Sequence, residues 1–288
     1  MPKKIISWVV PCFNEEEVIS ETIKRLNQVS NSLQDYDWEI ILIDDGSKDS
    51  TRHIIKCLIK EYKRIQLIAL SRNYGHQIAV QAGLNNTNGS AVIVIDADLQ
   101  DPPELAFNMI KEWENGYDVI YGKRVGREAE SIFKKLTAVI FYRLLNTISD
   151  INIPSDTGDF RLLDKRVVYA LREMPEKGRY LRGLISWAGF RQKQVDYVRE
   201  KRLLGKTKYP LSKMIQFAVE GITSFSRKPL QLATFSGVIA SIISIIGIIY
   251  VLYSRIMTDD WVEGWAGLAL AILFSGGLQL ICIGVLGE

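Results

Sequence analysis

Residues 91–104 read AVIVIDADLQDPPE, an apolar run followed at once by three carboxylates, Asp96, Asp98 and Asp101. Like charges placed this close together repel one another, and desolvation at the edge of a protein core increases the cost of ionising them. The segment therefore predicts a buried strand that ends at a site where another group neutralises the acidic side chains.

The surrounding sequence places this strand in an α/β fold. Short apolar runs alternate with amphipathic ones over the first 125 residues. Such alternation, with strands that are apolar throughout, is typical of an open, mostly parallel, Rossmann-like sheet with helices on both faces. Strands are predicted at 5–10, 38–43, 65–70, 91–95, 118–122 and around 191–198, and helices at about 15–33, 49–62, 75–87, 103–115 and 127–148.

A second acidic pair, Asp44 and Asp45, follows the predicted strand 38–43. In open α/β sheets ligands bind beyond the carboxyl ends of the strands. Both acidic clusters are therefore expected at one edge of the sheet, where a ligand binds.

A divalent cation is the expected partner of Asp96 and Asp98. No Lys or Arg occurs in the stretch AVIVIDADLQD, and Mg²⁺ and Mn²⁺ favour carboxylate oxygens and bridge to substrate phosphates. Helix N-capping is the alternative interpretation of these carboxylates. Capping accounts for Asp101, which precedes Pro102-Pro103 at a helix start, but not for the other two.

The first strand continues as VVPCFNEEE (9–17), with neither GxxxxGK[ST] nor GxGxxG after it. This argues against P-loop nucleotidases and dinucleotide dehydrogenases. A bound diphosphate is then expected to be held by a metal ion and side chains.

Two long uncharged runs near the C-terminus predict membrane-spanning helices. Gln231–Ser254 has 24 residues and Ala266–Gly287 has 22. A helix of the first length would be roughly 36 Å long, enough to cross a hydrocarbon core of about 30 Å. The three scattered cysteines fit a reducing cytoplasm.

The charges give the orientation. Residues 199–228 carry eight basic and two acidic side chains, whereas the loop near 256–264 is acidic. By the positive-inside rule the N-terminal part is cytoplasmic, and the basic segment would attract anionic headgroups or a lipid phosphate. A merely solvated basic face is the alternative.

Besides the two uncharged runs, the segment 209–226 has apolar residues near one helical face. It predicts an amphipathic helix on the membrane surface or, alternatively, one packed on the soluble domain. The expected organisation is a catalytic domain at 1–208, a juxtamembrane helix at 209–230 and two transmembrane helices at 231–288. The apolar positions of the amphipathic segment are Leu211, Ile215, Phe217, Ala218, Ile222 and Phe225.

Taken together, five segments resemble family 2 glycosyltransferases of the GT-A fold. Their order and spacing are similar to those of enzymes that load sugars onto polyprenyl phosphate, in particular bacterial bactoprenol (undecaprenyl-phosphate) glucosyltransferases. Dolichol-phosphate mannose synthases are more distant relatives, and the resemblance covers essentially the whole chain. The segments are VVPCFNEEE (9–17), IDDGSKDST (43–51), LSRNYGHQIAVQAGL (70–84), IDADLQDPPE (95–104) and GDFRLLDKRVV (158–168).

The resemblance implies a donor site with a Mg²⁺ or Mn²⁺ cofactor. Asp96, Asp98 and Gln100 match the metal-binding DxDxQ positions, and Asp98 is implied to be catalytic because the cation stabilises the departing diphosphate. An ordinary turn is the alternative for Asp45, and a helix-terminal salt bridge is the alternative for Arg72. The positions implied to hold the nucleotide are Pro11, Phe13, Glu15, Asp44, Asp45, Arg72 and Asp96.

On the acceptor side, a lipid phosphate is mostly ionised near neutral pH, its second pKa being about 6, so it needs positioning cations more than a strong base. Asp159 and Arg124 are implied to be catalytic there; a buried contact of Asp159 with Arg161 or with the backbone is the alternative. His53 and His76 lack metal-like spacing and are predicted to be surface or capping residues. The cations implied to hold the acceptor phosphate are Arg124, Lys134, Lys135, Arg161, Arg202 and Lys208.

The expected activity is inverting transfer of a hexose, glucose from UDP-glucose, to undecaprenyl phosphate at the cytoplasmic face of a bacterial inner membrane. The expected partners are the nucleotide sugar, the polyprenyl phosphate and the membrane, with no nucleic acid. Small residues such as Gly237 and Gly277 would let spans pack within a chain or in a homo-oligomer. Other donors (mannose, N-acetylhexosamine, aminoarabinose) and a catalytically silent nucleotide-sugar-binding membrane protein are the alternatives. A processive polysaccharide synthase is disfavoured because QxxRW is absent.

Overall fold

The computed structural model describes residues 3–125, 157–175, 181–198, 228–257 and 265–287. These fall into two compact units, the first containing the described residues up to 198 and the second those from 228 onwards. The predicted helix 127–148, the amphipathic segment 209–226 and the candidate cations Lys134, Lys135, Arg202 and Lys208 lie outside the described residues.

The first unit is built on a mixed sheet with the strand order β3-β2-β1-β4-β6-β5-β7. The pairs β1–β2, β2–β3, β1–β4 and β5–β7 are parallel, whereas β6 pairs antiparallel with both β4 and β5. The prediction of a mostly parallel α/β sheet is thus confirmed. The strands are β1 Lys4–Cys12, β2 Tyr36–Asp44, β3 Ile65–Ala69, β4 Ala91–Val94, β5 Val119–Arg124, β6 Thr157–Asp164 and β7 Gln192–Tyr197.

Helices cover both faces of this sheet. The helices α1, α2 and α4 lie on one face, where they bury one continuous apolar core with Ile6, Trp8 and Val10 of β1. The helix α3 lies on the other face so close to β1 and β2 that a methyl group at Gly83 would have no room between Val9 and Ile43. The helices of this unit are α1 Ile19–Asn31, α2 Thr51–Glu61, α3 His76–Asn85, α4 Leu105–Glu114, α5 Lys165–Glu173 and α6 Leu181–Trp187.

The second unit is a pair of helices, α7 (Lys228–Met257) and α8 (Trp265–Gly287). They contact each other closely, since the Ser244 hydroxyl donates to the Leu270 carbonyl at 2.9 Å. Among the described residues, Gln231–Ser254 is long and apolar enough to cross a bilayer, and Gly267–Ile283 is a shorter apolar helix. A spanning helix needs about 20 apolar residues, so the structure supports the first predicted span by length and composition and leaves the second as a prediction.

Candidate active site

The register of the parallel strands brings three loops together at the carboxyl edge of the sheet, where the sequence predicts a ligand site. Cys12 at the end of β1 pairs with Asp44 at the end of β2, and the Asp45 amide donates to the Cys12 carbonyl at 2.9 Å. On the other side of β1, the Ile95 amide donates to the Val9 carbonyl at 3.1 Å. The segments after β1, β2 and β4 therefore leave the sheet side by side.

The loop after β1 is held by the loop after β2. Asn14 has a left-handed backbone with φ 53°; its amide donates to Ser47 Oγ at 2.9 Å and its side chain accepts from the Lys48 amide at 2.8 Å. The Glu15 amide donates to Thr51 Oγ1 at 2.8 Å. These bonds hold the loop that carries the half-buried side chains of Phe13 and Glu15, two positions for which the family resemblance implies contact with the nucleoside.

Asp44 and Asp45 are engaged by the protein itself. Asp44 is fully buried; it accepts from Arg52 Nε at 2.6 Å and from the Ser47 amide at 3.0 Å. Asp45 is also buried and accepts from the amides of Tyr74 and Gly75 at 2.8 and 2.9 Å. Asp45-Gly46-Ser47 therefore does more than form an ordinary turn, because it ties together the loops after β2 and β3.

Arg72 lies in the loop after β3 and is exposed. Its guanidinium carbon is 4.1 Å from the centre of the Tyr74 ring, and Nη1 donates to the Asn73 carbonyl at 3.4 Å. Within the part of the chain that the structure describes, Arg72 thus makes a cation–π contact and not the helix-terminal salt bridge that was the alternative for this residue.

The loop after β4 presents its polar side chains in alternation. Asp96, Asp98 and Gln100 are half-buried, whereas Ala97 and Leu99 point into the core. Leu99 has φ 55°, a left-handed backbone that non-glycine residues rarely adopt. The three predicted metal ligands therefore all keep side chains that are partly open to solvent.

Asp101 has a different role from the capping predicted for it. The residue before α4 is Glu104, which makes no side-chain cap bond, and Asp101 is buried below it. Its Oδ1 accepts from the Tyr197 hydroxyl at 2.5 Å, and its Oδ2 lies 3.7 Å from Arg124 Nη2. The capping interpretation was wrong because the carboxylate turns toward the ends of β5 and β7, which sequence proximity does not reveal.

Asp159 on β6 lies among positive groups. Arg182 Nε donates to its Oδ1 at 2.8 Å, His76 Nε2 is 3.1 Å from its Oδ2, and Arg161 Nη2 is 3.8 Å from Oδ1. Burial alone would raise the pKa of Asp159, but Arg182 and His76 together hold that pKa well below its ordinary value. Asp159 is therefore an ionised carboxylate and a weak base. Besides Arg161, which was one of the predicted alternatives, it contacts Arg182 and His76.

His76, the first residue of α3, lies between Asp159 of β6 and Asp96 in the loop after β4. Its Nε2 also lies 3.8 Å from Asp96 Oδ1. Burial lowers the pKa of His76, but the adjacent Asp159 carboxylate and the charge of Asp96 raise it to about 9. The expectation of a surface or capping residue was wrong, because its partner Asp159 is 83 positions away in sequence.

The electrostatics of Asp96 fit a bound cation. Burial and the charges of Asp159, Asp98 and Asp101 raise its pKa to about 6, even though His76 lowers it. Among the described residues no three His, Cys, Asp or Glu side chains form a protein-only metal site. Mg²⁺ and Mn²⁺ are commonly bound through one or two carboxylates plus substrate phosphates, so Asp96 and Asp98 suit that mode.

Sequence reasoning missed Tyr197 and Arg182 as well as His76. Tyr197 ends a strand and Arg182 opens a short helix, and neither lies in a motif that suggested a ligand. Their roles depend on contacts across the sheet, with Asp101 and Asp159 respectively. His76 lies within the segment LSRNYGHQ (70–77), but no local pattern indicates its partners.

A mixed α/β sheet with oxygen donors at its carboxyl edge is the arrangement of GT-A glycosyltransferases, and the structure is similar to solved proteins of that class. One is glucosyl-3-phosphoglycerate synthase from Mycobacterium tuberculosis, in complex with Mn²⁺ and UDP-glucose: TM-score 0.52, 18% identity, 76% of this chain and 77% of that chain. Another is the mannosyltransferase PcManGT from Pyrobaculum calidifontis, with GDP-Man and Mn²⁺: TM-score 0.51, 14% identity, covering 99% and 74%. At these identities the likeness establishes the fold.

The chain belongs to glycosyl transferase family 2, because the model of that family matches residues 7–172. It is 46% identical to the uncharacterized glycosyltransferase YkcC of Bacillus subtilis (strain 168) over 98% of this chain and 87% of that protein. It is 41% identical to the bactoprenol glucosyl transferase of Shigella phage SfX and 40% identical to the prophage bactoprenol glucosyl transferase homolog of Escherichia coli (strain K12). Each of these two matches covers 98% of this chain and 92% of the relative.

Proposed function

We propose that this glycosyltransferase moves a hexose, glucose from UDP-glucose, onto the phosphate of a polyprenyl carrier such as undecaprenyl phosphate. The observation that carries the proposal is the meeting of Asp96, in the loop after β4 that also holds Asp98, with Asp159 of β6 through His76. Full-length similarity to proteins named bactoprenol glucosyl transferase supports the choice of sugar and carrier.

On the donor side, Asp96, Asp98 and Gln100 would hold Mg²⁺ or Mn²⁺ against the diphosphate. When bound, the ion supplies Lewis-acid stabilisation of the leaving diphosphate. Pro11, Phe13, Glu15, Asp45 and Arg72 would surround the nucleoside. Asp44 contributes indirectly, because its buried bonds with Arg52 and the Ser47 amide hold the loop in place.

On the acceptor side, the lipid phosphate attacks the anomeric carbon in a single displacement, which inverts its configuration. A phosphate monoester is largely ionised at pH 7, so it requires no proton to be removed by the protein. This fits Asp159, whose low pKa makes it a poor base and whose contacts make it the holder of Arg182 and His76. Arg161 and Arg124 are the described cations proposed to position the phosphate; Lys134, Lys135, Arg202 and Lys208 are proposed to complete the set.

The membrane part of the proposal depends on the second unit. Large apolar side chains on both helices remain more than 60% exposed, among them Phe235 and Ile249 on α7 and Leu268 and Ile272 on α8. Lipid is a better environment than water for such surfaces. We propose that both helices span the inner membrane, that residues 1–208 form the cytoplasmic catalytic domain, and that 209–230 lies at the membrane surface.

The test is transfer from radiolabelled UDP-glucose to undecaprenyl phosphate by the purified full-length protein in detergent. With Mn²⁺ or Mg²⁺ present we expect labelled glucosyl lipid, and with EDTA we expect none. Parallel reactions with labelled mannose, N-acetylhexosamine and aminoarabinose donors decide the sugar. UDP binding without transfer from any donor would favour a silent binding protein, and no nucleotide binding at all would refute the proposal.

A further inference from the structure

We propose that Tyr197 is a positioning residue for the transfer reaction, holding the loop 96–101 and Arg124 in the arrangement that the site requires. We call Tyr197, Asp101 and Arg124 together the tyrosine latch. The inference rests on the proposed function in one respect, namely that the loop 96–101 binds a metal–nucleotide complex.

The latch joins three separate elements at one buried point. Tyr197 ends β7, Arg124 ends β5, and Asp101 closes the loop after β4. The Tyr197 hydroxyl donates to Asp101 Oδ1 at 2.5 Å and accepts from Arg124 Nε at 3.2 Å. Both the Tyr197 ring and the Asp101 carboxylate are buried, so water does not compete strongly for these bonds.

The surrounding packing is fitted to the tyrosine ring. A Cβ atom at Gly122, on the neighbouring strand β5, would lie 2.8 Å from Tyr197 Cε1. Phe160 of β6 meets the same ring edge-on, with centroids 6.2 Å apart. Burial and the adjacent Asp101 charge raise the pKa of Tyr197, so the phenol stays protonated and remains a donor. The packing of the ring against Gly122 and Phe160 therefore directs the Tyr197 hydroxyl toward Asp101.

The loop needs such a constraint because its backbone is unfavourable. Leu99 holds a left-handed conformation, with φ 55°, two residues before Asp101, and non-glycine residues keep that conformation only where their surroundings impose it. Releasing Asp101 would let the loop relax. Asp98 and Gln100, which flank Leu99, would then shift with it.

The latch also fixes the acceptor side. Arg124 crosses the backbone of β6 so closely that a Cβ atom at Gly158 would lie 2.7 Å from Arg124 Nη2, and the next residue is Asp159. Asp101 and Tyr197 thus hold Arg124 between the donor loop and β6. Since Arg124 is one of the cations proposed for the acceptor phosphate, a single hydroxyl orders groups on both sides of the reaction.

The test compares Tyr197→Phe with Tyr36→Phe. Tyr36 makes the same kind of bond, donating to Glu114 Oε1 at 2.5 Å, but it lies at the opposite, amino end of β2. The readouts are Mn²⁺ binding in the presence of UDP, the kcat and KM of transfer, thermal unfolding, and amide exchange of residues 97–100 without ligand. We expect Tyr197→Phe to lower kcat and the Mn²⁺–UDP affinity by about tenfold and to speed loop exchange. Tyr36→Phe should change Mn²⁺ binding, kcat, KM and the exchange of residues 97–100 by no more than about twofold.

Asp101→Asn supplies the second variant, since it keeps the size of the side chain and removes its charge. The same losses are expected, and the double variant Tyr197→Phe/Asp101→Asn should be no worse than the worse single variant because the residues act as a unit. Additive losses, or a Tyr197→Phe protein indistinguishable from Tyr36→Phe, would overturn the proposal. If the parent protein itself fails to bind Mn²⁺ and UDP, the proposed function has failed, and the amide exchange comparison alone decides whether the latch holds the loop.

Discussion

The two acidic clusters at the carboxyl edge of the sheet differ in what surrounds them. After β2, Asp44 and Asp45 are buried and accept hydrogen bonds from Arg52 and from three backbone amides. After β4, Asp96 and Asp98 are half-buried, and like charges together with burial raise the pKa of Asp96 to about 6. The protein supplies close hydrogen-bond donors to the first cluster, whereas the second retains like-charge repulsion that a bound cation would relieve.

This difference shows that a carboxylate at a strand end can serve either the scaffold or the ligand. Donors within about 3 Å make Asp44 and Asp45 part of the framework that positions the neighbouring loops, and Asp45 is proposed to border the nucleoside as well. Asp98 Oδ1 accepts from the Gln100 amide at 3.2 Å within its own loop, and Asp96 lies 3.8 Å from His76. Both carboxylates are proposed to bind a cation. Substitutions at Asp44 should therefore mainly lower the stability of the protein, whereas substitutions at Asp96 or Asp98 should mainly lower its activity.

The largest effect is expected for Asp98→Asn, which keeps the shape of the side chain and removes one charge from the proposed metal site. We expect kcat to fall by about a thousandfold, since Lewis-acid stabilisation contributes several kcal/mol. The thermal midpoint should stay within about 3 °C of the parent, because the amide oxygen can still accept from the Gln100 amide and the change removes like-charge repulsion. The measurements are transfer kinetics and thermal unfolding.

Asp37→Asn is the matched control for this change. Asp37 lies at the amino end of β2 and is 48% exposed in an ion pair with Arg64, so its substitution should leave both kinetics and stability close to those of the parent. Wild-type turnover by Asp98→Asn would contradict the distinction between the two clusters.

A smaller effect, of the opposite kind, is expected for Asp44→Asn. The neutral amide weakens the bond to Arg52 and places an NH₂ group near donors, which should lower the free energy of unfolding by about 2 kcal/mol. The folded fraction should keep kcat within about fivefold of the parent. Denaturant unfolding and transfer kinetics measure the two quantities. Loss of nucleotide binding at unchanged stability would instead place Asp44 in direct contact with the nucleoside.

The smallest effect is expected from pH. The pKa of Asp96 is raised to about 6 in the folded protein, and metal binding requires the ionised carboxylate. Asp96 is therefore mostly ionised at pH 7 and mostly protonated at pH 5, so Mn²⁺ affinity should fall by about tenfold as the pH is lowered across this range. Titration of Mn²⁺ at each pH tests this, and Asp96→Asn should bind weakly with a flatter dependence. A pH-independent affinity in the parent would show that Asp96 is no ligand.

Much of the sheet was predictable because β1 to β5 are apolar runs of ordinary length. The strand β6 was not, since TGDFRLLD (157–164) carries Asp159, Arg161 and Asp164 and is stabilised as a strand by antiparallel pairing with β4 and β5. Asp96 and Asp98 were found because they follow a buried strand. His76 and Tyr197 were not, because their partners lie across the sheet and no local pattern encodes such contacts.

The place of β6 between β4 and β5 also sets an order of assembly during synthesis. The strands β1 to β4 can pair as soon as they emerge, but β5 pairs only with β6 and β7 among the described strands. From Arg124 to Asp164 the ribosome adds 40 residues, which takes roughly 2–8 s. During that interval β4, the apolar Ala91–Val94, has an open edge. A nascent chain at this stage is a natural client for chaperones that bind extended apolar segments.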